Sequence, residues 1–253
     1  MNIIHVRNAT LIVEYADKRF LIDPMLGEKG SFPPFPNAPR DDQNNPLVEL
    51  PMSTDEIISN VDAVFLTHLH LDHFDEAAQQ LLPKDIQIYT QNDEDVEEVK
   101  KAGFKNVIAL EKVNELQGVT VYKTPAQHGR GEILEIAGNV CGFVFKADDE
   151  PTLYIAGDTV WYSEVEDTIN EYKPEVIVVN AGDNQFNQGG SLVMDAEDVY
   201  NVAKVAPNAT IIATHMEAVN HWMLSREALH EFAQQHQFDT QLRIPNDGDQ
   251  YQF

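Results

Sequence analysis

Three things are scarce in this chain. It has one cysteine, Cys141, so no disulfide can close within it, which suits a reducing compartment. Basic side chains are few, 17 Lys and Arg against 42 Asp and Glu, for a formal net charge of -25. Nucleic-acid binding relies on Lys and Arg to displace phosphate counterions, so a nucleic-acid partner is not expected. A local arginine can still meet a small anion. No stretch approaches the roughly 18 apolar residues of a membrane span. The opening MNIIHVRNATLIVEY has no basic segment leading into an apolar run and a small-residue cleavage site. A cytoplasmic protein is therefore expected.

What is present describes a globular chain. Hydrophobic residues make up 43% of the 253, and charged residues 23%, enough for a sizeable core. No linker, repeat array or low-complexity segment divides the sequence, which reads as a single domain over 1–253. No pattern sets an oligomeric state. Residues 2–6, 10–15 and 19–23 read as strands, the last two joined across ADK. Residues 24–51 carry seven prolines and no sustained periodicity. A loop of that length in a compact domain is functional or disordered, and Phe32 and Phe35 make it a candidate active-site lid. Strands follow at 62–67, 86–90, 118–129, 175–182 and 209–215, a hairpin at 139–159 turning at DDEP, and an edge strand near DQYQF. Helices are expected at 75–82, 92–103, 163–173, 195–206 and 225–236. AVFLTHLH (63–70) and TIIATHME (210–217) echo each other, two apolar strands that each end in Thr-His.

The densest signal is LTHLHLDHFD, 66–75. His68 and His70, at i and i+2 of an extended segment, project to one side and can grip one ion together. Asp72 and His73, where the chain turns into a helix, point elsewhere and suit a second ion. His128, Asp158 and His215 also follow apolar strands. Strand ends of a sheet sandwich can converge on one edge, which would gather five histidines and two aspartates. Imidazole and carboxylate without thiolate suit zinc or manganese, with iron compatible.

THLHLDH resembles the H-x-H-x-D-H signature of the metallo-β-lactamase-fold hydrolases. QHG, AGDT and ATHM follow in that family's order and approximate spacing, and HVRNATLIVEYADKRFLIDPML is similar to its first hairpin leading into Asp-Pro. The resemblance covers essentially the whole chain and looks closest to the branch with ascorbate-6-phosphate lactonase. It implies an α/β fold, a four-layer αβ/βα sandwich, with the active site along one edge of two sheets. It also implies two divalent metal ions. His68, His70 and His128 would hold the first, and Asp72, His73 and His215 the second. Asp158 would bridge them. A water shared by two cations is deprotonated near neutral pH and can attack a carbonyl carbon or a phosphorus. Asp72 or a metal-bound water would pass the proton to the leaving group, and Asp23 would support a ligand imidazole from behind. The chain departs from the branch at Arg7-Asn8-Ala9, where Gly-His-Ala is usual.

The implied activity is hydrolysis of a small ester-like substrate, a lactone first and a small or lipid-derived phosphodiester second. Arg130, Trp161 and His221 are candidate substrate contacts. Two other classes are an iron-dependent redox protein and a non-catalytic binding protein. A flavin partner for the former would demand a further domain, and a module that only binds needs no complete two-metal set.

Overall fold

A computed structural model describes residues 1–116 and 118–253. The first strands follow from alternation and a tight turn. β1 (Asn2–Arg7), β2 (Thr10–Tyr15) and β3 (Lys18–Ile22) form an antiparallel meander. Ala16 and Asp17, both at positive φ, close the β2–β3 hairpin as the twist of paired strands requires. The chain then switches to parallel pairing through β4 (Ala63–Phe65), β5 (Gln87–Thr90) and β6 (Asn106–Ala109). The second sheet runs from β7 (Val113–Leu116) and β8 (Val119–Pro125) through β9 (Cys141–Lys146) and β10 (Leu153–Ile155). It continues in parallel through β11 (Val176–Asn180), β12 (Thr210–Thr214) and β13 (Leu242–Arg243). β14 (Gln250–Gln252) returns to pair with β1, the edge strand expected near DQYQF.

The sheets face each other across a shared core in which Phe20 and Phe65 of the first meet Phe143 and Phe145 of the second. Helices cover the outer faces. α1 (Thr54–Ile58), α2 (Glu76–Leu81) and α3 (Asp93–Lys101) lie over the first sheet, with Ile57, Ala78 and Val99 buried against it. The short α4 (Leu134–Ala137) lies apart, in a small cluster with Leu192. α5 (Ser163–Tyr172), α6 (Ala196–Val205) and α7 (Arg226–Gln235) cover the second sheet through Val165, Val199, Val202 and Leu229. This is the four-layer αβ/βα sandwich expected. No helix among the described residues is long and apolar enough to cross a membrane.

Several elements differ from the sequence reading. α1 went unread, although Ser53 and Glu56 form a capping box. β6 and β7 are short, with every other residue largely open to solvent, so their apolar signal is thin. The 118–129 strand stops at Pro125, and β13 has two residues. Residues 24–51 contain no helix or strand beyond an isolated Phe32–Asn45 bridge, as expected, yet they are firmly tied. The fully buried Arg7 guanidinium donates to the carbonyls of Met25, Gly27 and Val48, at 2.8, 2.8 and 3.0 Å. Asn220 bonds Asn45, Phe35 and Pro39 from the other side.

Candidate metal centre

β4 and β12, the two echoing strands, lie inside their sheets, and each is followed by its histidine. His215 takes a left-handed conformation (φ 60), which turns it out of β12, and its N–H donates to the Asn8 carbonyl at 2.9 Å. Gly182 lies so close to the His215 carbonyl that a Cβ there would overlap it. Gly157, at φ 70, lets the chain turn directly before Asp158, against the Cys141 carbonyl.

The seven side chains meet at one edge. Three groupings place their donor atoms within 4.8 Å of one another: His68, His70 and His128; His68, His73 and Asp158; Asp72, His73 and His215. Asp158 lies between the outer two. Its Oδ2 is 3.2 Å from His73 Nε2, 3.5 Å from His128 Nε2 and 3.9 Å from His68 Nε2, while its Oδ1 is 3.8 Å from His215 Nε2.

Hydrogen bonds behind the rings fix which nitrogen is bare. Thr67 gives its one hydroxyl hydrogen to Asp23 Oδ2 at 2.7 Å, so it must accept from His68 Nδ1 at 3.0 Å. The Asp23 carboxylate also accepts from His73 Nδ1 at 2.9 Å, and the Leu192 carbonyl from His128 Nδ1 at 2.9 Å. All three rings therefore keep their Nδ1 hydrogen behind them and turn Nε2 toward Asp158, the nitrogen a metal would take. His68 Nε2 is buried and has no hydrogen-bond partner. His73 Nε2 and His215 Nε2 stand 3.2 Å apart. Buried lone pairs are costly when orphaned or set against each other, and a divalent cation among them removes that cost. The donor set fits metal.

Asn180 holds the other side, donating from Nδ2 to Asp158 Oδ1 at 2.6 Å while its own Oδ1 accepts from Thr214. Asn180 was not among the residues the sequence singled out, because its partner lies 22 residues away. Asn8 replaces the histidine usual in the resembling branch. Its Nδ2 donates to the Asp72 carbonyl at 3.0 Å, so it positions the loop that carries Asp72.

Charges follow from packing. Burial drives the His68 ring well below the ordinary imidazole range, and His73 and His70 push the same way, so it is neutral near pH 7. Burial opposes charge on His73 too, but Asp158, Asp23 and Asp72 together outweigh it and hold that ring well above the ordinary range. His215 is raised, against its burial, by Asp158 and Asp72. Burial alone would raise both carboxyls, yet His73 and its neighbours hold Asp72 and Asp158 well below the usual carboxylate range. A proton held on His73 or His215 by these carboxylates must leave before a cation can take that nitrogen. Metal affinity is therefore predicted to weaken as pH falls, by about tenfold per pH unit for each displaced proton. Chelator-competition titrations between pH 6 and 8 measure the slope, and a flat profile would contradict this electrostatic account. Asp23→Asn is predicted to lower metal affinity by about 10–100-fold, the scale for an outer carboxylate behind a ligand histidine. An unchanged affinity in the same titration would remove Asp23 from that role.

The cluster opens into a cavity of about 320 Å³ walled by Phe35, Leu69, Leu71, Phe186, Leu192 and His221, with His70, Asp72, His128 and Asp158 at its base. Among the described residues no Lys or Arg lines it. His221 lies there as the sequence suggested, its ring between Phe35 (4.7 Å, edge-on) and Phe186 (5.9 Å, stacked). Burial pushes its pKa down to about 4, so it is neutral at pH 7. Arg130 and Trp161 do not line this cavity. Arg130 donates from Nη2 to both Asp198 oxygens at 2.7 Å, which draws it toward α6 and away from the cavity. The Trp161 N–H donates to the same carboxylate at 3.0 Å, and its side chain packs on the outer core.

A family model described as "Beta-lactamase superfamily domain" matches residues 18–216. The Bacillus subtilis protein described as "UPF0173 protein YddR" is 54% identical over 254 residues, covering 100% of both chains. A "UPF0173 metal-dependent hydrolase" of Caldivirga maquilingensis is 30% identical, covering 81% of this chain and 77% of its own. The chain belongs to the UPF0173 metal-dependent hydrolases of the beta-lactamase superfamily. A solved isothiocyanate hydrolase from Delia radicum gut bacteria superposes on this UPF0173 chain with a TM-score of 0.96 and 42% identity, covering 100% of this chain and 99% of that one. A possible metal-dependent hydrolase from Veillonella parvula gives a TM-score of 0.96 at 37% identity, covering 99% and 98%.

Proposed function

We propose that this UPF0173 protein is a two-metal hydrolase of small, uncharged carbon electrophiles, with isothiocyanates as the leading substrate class. The observation that carries this is the cavity. It places the His/Asp cluster in a mostly apolar chamber that, among the described residues, no Lys or Arg lines to meet a phosphate or carboxylate. Beyond the metal cluster itself, a phosphodiester or phosphorylated lactone would meet no cationic side chain, in a chain of net charge -25. The 42% identity to an isothiocyanate hydrolase supports the substrate class. An unphosphorylated lactone fits the same chamber and is the second reading.

In this proposal His68, His70 and His128 would hold one ion and Asp72, His73 and His215 the other, with Asp158 available to both. Two divalent ions so held would lower the pKa of a water between them and polarise the substrate heteroatom. The protein supplies the rest. Asp23, Thr67 and the Leu192 carbonyl keep three rings in one tautomer. Asp72 lines the chamber, and its Oδ1, the oxygen not paired with His215, is the station for the proton lost by water. His221, the remaining polar side chain of the apolar wall, offers a neutral ring edge to the substrate's sulfur or oxygen. Phe35, Leu71 and Phe186 exclude bulk water. For R–N=C=S, water oxygen bonds to the central carbon, its protons pass to nitrogen, and the C–N bond breaks. R–N=C=S and H2O give R–NH2 and O=C=S.

Metal-loaded protein is tested with an alkyl isothiocyanate, a γ-lactone and a bis-aryl phosphodiester. The proposal expects isothiocyanate loss that a chelator stops, with the phosphodiester inert. Fastest turnover on the phosphodiester would overturn the substrate reading.

A further inference from the structure

A second cavity, of about 580 Å³, adjoins the first and shares Ile136 and Phe186 with it. Its walls come from three separate segments: Pro36 from the 24–51 loop, Ile133 and Ile136 from the α4 region, and Phe186 from the loop after β11. Its polar rim, Asn37, Asn187 and Gln188, is uncharged. No charged side chain among them would oppose an uncharged hydrocarbon group.

The walls are built, not incidental. Asn187 N–H donates to the Asn37 carbonyl at 2.7 Å, joining two of the segments. Ile133 and Ala137 anchor α4 on Leu192, whose carbonyl holds His128. Gly189 (φ 108) brings the third segment down on Ile133, where a Cβ would stand 3.2 Å from Ile133 Cδ1. Ile136, by contrast, is 74% exposed. Ile136 thus offers apolar area at the mouth of this chamber that a ligand lying in it would cover.

We infer that the outer cavity is a subsite for the hydrocarbon substituent of the substrate, so that the protein selects electrophiles with longer alkyl or arylalkyl groups over methyl and ethyl analogues. This rests on the reading of the His/Asp cluster as the reacting centre. The shared Phe186 and Ile136 give the tail a continuous apolar path outward from that centre, with Phe186 stacked on His221 at the junction.

The test uses two homologous series on the metal-loaded full chain. Calorimetric titration with n-alkanols from butanol to octanol reads binding without turnover. Affinity is expected to rise about fourfold per added methylene, the scale of one buried CH2. Ile136→Ser, at an exposed position that leaves the fold intact, is expected to flatten that slope and weaken octanol about tenfold while butanol changes little. Equal affinity across the series, no binding, or equal weakening of butanol and octanol would overturn the subsite. The second series is kcat/KM for alkyl isothiocyanates from methyl to hexyl, where a rise with length supports the subsite. A steep alkanol slope with no isothiocyanate turned over would sink the substrate reading and leave the subsite standing. Turnover that ignores chain length would do the reverse.

Discussion

Asp158→Asn is expected to reduce turnover by about 10³-fold or more, the upper range for losing one preorganised charge at a reacting centre. The substitution keeps the size of the side chain. It removes the one negative charge that stands within 4 Å of the Nε2 atoms of His68, His73, His128 and His215. Four rings would then crowd any bound cation without that shared anion, so metal content should fall along with rate. The fold should persist, because Asp158 bonds only at the site edge, through Asn180. Elemental analysis beside a rate assay measures both effects. A variant within about twofold of the parent in rate, at equal metal content, would remove Asp158 from its bridging place.

Arg7→Met is expected to cost about 3–5 kcal/mol of stability, because three buried carbonyls lose their donor together. For a chain of this size that corresponds to roughly 10 °C in Tm. Burial without a contacting carboxylate pushes the pKa of Arg7 down to about 10, so the guanidinium remains charged at pH 7 and its bonds to Met25, Gly27 and Val48 are charge-assisted. Asp75 completes the junction by accepting the Gly27 N–H at 2.6 Å. Arg7→Lys should recover little, since an ammonium lacks the planar fork that spans separated acceptors. Released from Arg7, the 24–51 loop would carry Phe35 off His221, raising KM more than it lowers kcat. Scanning calorimetry gives the Tm, and a change under about 2 °C would mean the carbonyls find other partners.

Legibility in the sequence divided by range. The histidine cluster was readable because its members are neighbours in the chain, and His128, Asp158 and His215 because each ends an apolar strand. Asp23 was readable from its place between β3 and Pro24. The sandwich was legible only through the family resemblance that those motifs carry. Contacts between residues far apart were not readable. Arg7 looked like a departure from the family pattern, and only the folded chain shows it fastening a loop some 20–40 residues on. Arg130 looked free for a substrate anion until α6 brought Asp198 to it, 68 residues later. Trp161 went the same way, toward packing. β6, β7 and β13 were missed because edge strands bury too little to leave a pattern, whereas the Ser53–Glu56 box of α1 was a local signal that stood in plain sight.

The most direct test of the central claim is a reconstitution titration. Chelator-stripped protein is returned to zinc or manganese in steps, and alkyl isothiocyanate loss is followed at each step. The account predicts no turnover in the stripped protein and a rate that climbs to saturation at two equivalents of metal per chain, with both equivalents lost in Asp158→Asn. Turnover that survives complete stripping, or that is indifferent to added metal, would contradict it.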